Sequence, residues 1–128
     1  MEKDLMQSAA LNVMNEQTAV NEANEVPFEY LKDMYIDGYF PNFLVDKVKA
    51  ELVKVVEFLE QGNQDIEEIQ SKLDLAINTI NDLAEEFDEN DSEIETVARE
   101  SIAQTVEDIL AFFGIEIDTE VAIRERDW

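Results

Sequence analysis

The sequence predicts an all-α fold: a single-domain antiparallel bundle of three long helices with two or three short ones beside them. Three observations lead there. Apolar residues recur at steps of three and four along most of the chain, the spacing that gathers them on one helical face. The periodic segments are separated by only two to six residues, which favours neighbouring helices running in opposite directions. No strand pattern alternates with the helical ones, and no hairpin dipeptide sits in a strand context.

The elements follow in order. Residues 1–25, rich in Asn, Gln, Glu and Ala, form a polar extension in which Leu5, Ala9 and Val13 step by four and suggest a weak helix. The bundle domain spans 26–128. Pro27 suits the first turn of a short helix over 27–37, because its missing N–H is not needed there. Phe28, Leu31, Met34 and Tyr35 share one face of it, and Gly38 closes it in the left-handed conformation. Pro41-Asn42 opens the first long helix, with Asn42 as the cap. Leu44, Val48, Leu52, Val55 and Leu59 form its stripe, widened by Val45, Val56 and Phe58, and Gln61-Gly62-Asn63 stops it.

Asp65, with Glu68 three residues on, marks the start of the second long helix. Ile66, Ile69, Leu73, Ala76, Ile77, Ile80, Leu83, Ala84 and Phe87 make the cleanest helical repeat in the chain. After Asp88-Glu89-Asn90-Asp91, Ser92 and Glu95 have the spacing of a capping box, in which each side chain covers the other's backbone amide. Ile94, Val97, Ala98, Ile102, Val106, Ile109, Leu110 and Phe113 follow, and Gly114 ends the third long helix. Residues 115–123, IEIDTEVAI, alternate weakly, and Asp118 or Thr119 caps a last short turn. Arg124-Glu125-Arg126-Asp127-Trp128 is a charged tail carrying the only Trp.

Composition narrows the chemistry. The chain has 128 residues, 45% of them hydrophobic, enough for a real core. It carries 32 acids against 9 bases, a formal net charge of −23. There is no His and no Cys, which removes catalytic triads, thiol enzymes, the usual zinc sites and the Glu-x-x-His pairs of helical di-iron proteins. No Gly-rich phosphate loop is present. The N-terminus is not a secretory signal and no run is long enough to span a membrane, so the expected location is the cytoplasm. Duplex nucleic acid is a poor partner for a chain without a basic patch.

Carboxylate chemistry remains. Asp88, Asn90 and Ser92 sit at calcium-loop positions one, three and five. Glu93 stands where that loop needs Gly, and Arg99 stands where it needs a bidentate Glu, so a solvated turn is expected. Glu85 with Asp88, and Glu57 with Glu60, have the spacing of magnesium-binding pairs in helical nucleotide hydrolases, yet Glu57, Glu60, Glu67 and Glu68 lie mostly off the apolar stripes. No catalytic residue, metal ligand or cofactor is therefore expected. Glu95 and Arg99, four apart, read as an ordinary ion pair; the sharper reading makes Arg99 an internal counter-ion for its acidic helix.

The charge is lopsided. Residues 63–123 hold 18 acids and 2 bases, a net of −16, whereas residues 1–62 net −7 and the last five are neutral. Such a surface is a solvated face or a site for a basic partner. Glu67, Glu68, Asp74 and Glu85 are the candidate partner-binding residues. The leading functional expectation is a non-enzymatic binding or inhibitor protein, immunity-like, that engages a basic protein. The alternatives are a carboxylate-metal nucleotide hydrolase and a homodimeric helical protein whose apolar excess is an interface. In MYIDGYFPN, residues 34–42, aromatics crowd a turn. Tyr35, Gly38, Tyr39, Phe40 and Pro41 are read as a structural corner, with Phe43 nearby, and an aromatic pocket is the other reading.

The stretches YLKDMYIDGYFPNFLVDKVKAELVK and LAEEFDENDSEIETVARESIA and the closing RDW resemble a family of small bacterial helical proteins catalogued only as a domain of unknown function. The resemblance covers residues 28 to 128 or so. It implies a compact helical protein with no assigned activity, so it carries over no catalytic residue, and it implies that Trp128 is a natural end.

Overall fold

The computed structural model describes residues 26–128, so the helix suggested at Leu5, Ala9 and Val13 lies outside the described residues. Among those residues the chain is all-helical, without strands: α1 (Lys32–Ile36), α2 (Asn42–Glu60), α3 (Ile66–Asp82), α4 (Ala84–Glu89), α5 (Thr96–Phe112) and α6 (Thr119–Ala122). α2, α3 and α5 are the long ones, at 19, 17 and 17 residues.

Several boundaries lie where local chemistry puts them. Asp65 and Glu68 form the capping box: the Glu68 amide donates to Asp65 Oδ1 at 2.8 Å, and the Asp65 amide to Glu68 Oε1 at 2.9 Å. Gly62 closes α2 in the left-handed region, and the Gln64 side-chain amide donates to the Phe58 carbonyl, which also accepts from the Gln61 amide at 3.2 Å. α5 ends on a left-handed Gly114. The Ile115 amide reaches back to the Leu110 carbonyl at 2.8 Å and the Gly114 amide to Ala111 at 3.2 Å, the paired bonds of a Schellman closure.

Elsewhere tertiary contacts overrule the local signals. The helix expected over 27–37 is only Lys32–Ile36, because Leu31 is left-handed, with φ 53°. That conformation is unfavourable for a residue with a Cβ. It persists because Leu31 is completely buried and its amide donates to the Thr105 hydroxyl on α5 at 3.0 Å. Gly38 is not left-handed; the turn is made by Asp37, whose carboxylate accepts from the Tyr39 amide and whose carbonyl accepts from Phe40. Asn42 is the first residue inside α2, and Pro41 occupies the cap position without a side-chain bond.

The long repeat from Ile66 to Phe87 is broken. The Leu83 amide bonds back to Ile80 at 3.0 Å, three residues away instead of four, and α4 starts afresh. Phe87 is completely buried, while Ala84 and Ile66, both assigned to the core stripe, are exposed. The expected Ser92 cap is also displaced. Asp91 is left-handed, and the Ser92 amide donates back to the Phe87 carbonyl at 2.9 Å. Ser92 thus closes the preceding helix, and its hydroxyl makes no cap bond to the next. Glu95 caps α5 instead, accepting from the Val97 amide. Its carboxylate does not pair with Arg99, which reaches the Trp128 main-chain oxygen at 3.0 Å and the Thr96 hydroxyl.

α2 packs along α3, α1 packs on α5 and α2, and α6 packs on α5 and α3. One core joins them, including Phe40 from the corner, Leu52 and Val56 from α2, Leu73 and Ile77 from α3, Phe87 from α4 and Ile102 and Ile109 from α5. The charged tail is a strap, not a loose end. Ile123 is buried, the Asn81 side-chain amide donates to the Glu125 carbonyl at 2.9 Å, and the Asp127 backbone amide donates to Asn81 Oδ1 at 3.2 Å. No helix among the described residues is long and apolar enough to cross a membrane.

Candidate functional site

The aromatic corner disperses its rings. Phe40 is 2% exposed and belongs to the core, with Tyr39 edge-on against it at 5.1 Å between ring centres. Tyr39 and Phe43 are exposed. Lys47 lies over the Phe43 ring and also pairs with Glu86 at 2.7 Å, tying α2 to α4. Tyr35 is half-buried and donates its hydroxyl to Asp46. Burial, then that bond and the Asp46 charge, push its phenol well above the ordinary value. Burial pushes the Tyr30 phenol up to about 12, helped by Glu60 and Glu57. These hydroxyls stay protonated at neutral pH and supply no base.

The four acids singled out in the sequence occupy different settings. Asp74 is partly buried and tied within the fold: Arg124 grips it with both Nε, at 3.2 Å, and a terminal nitrogen, at 2.7 Å, and the Gln70 side-chain amide adds a bond at 2.9 Å. Partial burial works to raise the Asp74 carboxyl, but the Arg124 and Gln70 bonds outweigh it and hold the group below the usual carboxylate range. Glu68 is engaged in the α3 capping box. Glu67 and Glu85 are exposed. Glu57, Glu60 and Asp88, the other members of the spacings that resemble magnesium pairs, are exposed too, on α2 and α4. Among the described residues no three acids converge on a point that could hold a metal ion.

Glu67 borders a groove, and Glu67 and Glu68 both border a shallower recess beside it. A groove of about 710 Å³ runs between the first turns of α3 and residues 116–121. Its apolar lining is Ile66, 52% exposed, Val121, 45% exposed, and the partly buried Ile117. Glu67, Glu116 and Asp118 supply its carboxylates. None of the three forms an ion pair among the described residues. Arg124 also lines the groove, but its charge is committed to Asp74. Gln70 bonds to the Val121 carbonyl at 3.1 Å, so α6 is pinned against α3 and the groove has fixed walls. A shallower recess of about 470 Å³ adjoins it across Glu67 and Ser71, lined by Phe58, Lys72 and an exposed Leu75.

The match to a protein-family model runs over residues 24–128 and takes in every described residue. The chain belongs to DUF5713, a family of unknown function. No curated protein and no solved structure matches it. The family boundary at residue 24 leaves most of the polar N-terminal extension outside DUF5713. Within this DUF5713 chain, sequence reasoning reached Glu67 but passed over Glu116, Asp118 and Val121. The available signal was the weak alternation of IEIDTEVAI, which sets acids beside aliphatic residues in a segment too short to bury them.

Proposed function

We propose that this protein is a non-enzymatic binding protein, of the immunity or inhibitor type, that engages a basic protein partner in the cytoplasm of a bacterium. The reading takes its three long helices as one antiparallel bundle whose acidic half is the working surface. One observation carries it. Of the 18 acids between residues 63 and 123, Asp74, Glu86 and Glu120 are the ones with a cationic partner among the described residues. Lys47, Lys54, Arg124 and Arg126 are occupied in ion pairs. The remaining acids repel one another, a cost that a cationic partner relieves, and such a field also speeds encounter with that partner.

The test is capture from the parent cell at low salt, followed by reconstitution with the purified partner. Binding should weaken steeply toward about 0.5 M salt, because exposed charges are screened. Glu67→Lys with Glu116→Lys should cut affinity more than Glu57→Lys with Glu60→Lys on α2. Equal losses from both pairs would mean that net charge alone acts. A failure to capture any basic protein would refute the reading.

A further inference from the structure

We propose that the groove between α3 and residues 116–121 takes one face of a basic amphipathic helix presented by the partner; this rests on the basic-partner reading and adds where and how the partner docks. The apolar side chains of such a helix would sit on Ile66, Ile117 and Val121, and its flanking Lys or Arg residues would meet Glu67, Glu116 and Asp118.

Three features select this occupant. The first is the pairing of exposed aliphatic surface with carboxylates. Ile66 and Val121 are large apolar side chains about half exposed, and they share one groove with three acids that lack ion pairs among the described residues. A purely cationic ligand would satisfy the acids and leave the aliphatic lining wet. A purely apolar one would bury the carboxylates without a counter-charge, which is costly. A helix with apolar residues at i, i+3, i+4 and i+7 and bases beside them answers both demands.

The second is preorganisation. Gln70 ties α3 to the Val121 carbonyl, and Arg124 locks onto Asp74 beside it. Binding therefore does not have to order the walls, which leaves more of the contact energy for affinity. The Arg124 clamp also neutralises the one cation in the lining, so the groove presents a negative field. The third is the nature of the walls. They are α3, α6 and the segment leading into α6, with no strand edge among the described residues for an extended peptide to join. Side-chain anchoring of a helix is the recognition mode such walls support.

The probe is a synthetic 18-residue Lys/Leu peptide with Leu at i, i+3, i+4 and i+7, set against a scrambled peptide of identical composition and against spermine. Binding is followed by backbone amide NMR of the full chain and by calorimetry at low salt. The patterned peptide should shift the amides of residues 66–71 and 116–121, and should bind about tenfold or more tightly than the scramble. Ile66→Ser with Val121→Ser should erase that advantage and leave scramble binding unchanged. Glu67→Lys with Glu116→Lys, which touches no apolar residue, should weaken both peptides. Circular dichroism of each variant reports the fold.

Equal affinity for the two peptides, or shifts centred elsewhere, would overturn the groove and leave the basic-partner reading standing. Spermine seated in the groove as tightly as the patterned peptide would also overturn it, assigning the site to a small polycation. If no cationic probe and no cationic protein binds at low salt, the groove and the reading it rests on fall together.

Discussion

Phe40→Ala separates a packed corner from a recognition surface. Phe40 is 2% exposed, lies in the common core and holds an edge-on contact with Tyr39. Truncating a buried Phe to Ala removes its transfer free energy and leaves a cavity, together about 3–5 kcal/mol. Small domains are stable by about 5–15 kcal/mol in total, so the variant should keep only a fraction of its stability. At about 4–8 °C per kcal/mol for a domain of this size, the melting temperature should fall by tens of degrees. Urea unfolding followed by helical circular dichroism measures the loss directly. Phe40→Leu, which keeps part of the ring volume, should lose less and stay folded if the Ala variant does not. Tyr39→Ala should leave the urea midpoint close to that of the parent protein. A Phe40→Ala protein that unfolds with the parent slope and loses under about 1 kcal/mol would refute the corner's role in the core.

The remaining predictions concern titration, the strap and the caps. Spectrophotometric titration should show the tyrosines ionising above the ordinary value of 10.0, with Tyr30 near 12; phenol midpoints at the ordinary value in the folded protein would contradict the packing described. Because burial raises these values in the folded state, their stabilising contribution is complete below the unfolded value and lost as pH rises through the folded one, so alkaline unfolding should accompany the titration. Asp74→Asn should lower the melting temperature by about 2–4 °C near neutral pH. The folded Asp74 value is depressed, so that difference should vanish as pH falls through it; a difference persisting in strong acid would show that Asp74 acts by packing alone. Ser92→Ala should be neutral or stabilising, because its buried hydroxyl has no hydrogen-bond partner, whereas Glu95→Ala should cost about 0.5–1 kcal/mol as a lost cap. The reverse order in thermal melts would restore Ser92 as the cap.

What the sequence determined by itself is what depends on near neighbours. Apolar spacing was enough to identify α2 and the core face of α5, because burying a helical stripe needs only the right period, and it located most of α3 apart from Ile66. The Asp65–Glu68 box and the Gly62 and Gly114 stops were legible because each is made within a few residues. The acidic field was legible because charge is additive along the chain. Tertiary structure decided the rest, wherever a long-range bond outweighed a local preference. Thr105 holds Leu31 left-handed from 74 residues away and shortens α1. Phe87 enters the core beyond a break that no Gly or Pro announces, and the closure behind it consumes the Ser92 amide and moves the cap to Glu95. Arg124 reaches back 50 residues to bind Asp74, removing one expected surface acid, while docking of α6 sets Val121, Glu116 and Asp118 opposite Glu67 to make the groove. The Leu31–Thr105, Asp74–Arg124 and Gln70–Val121 pairings leave no period or dipeptide in the sequence, because each depends on two distant segments packing against the same core, and the short Phe87–Ser92 closure follows from Phe87 entering that core.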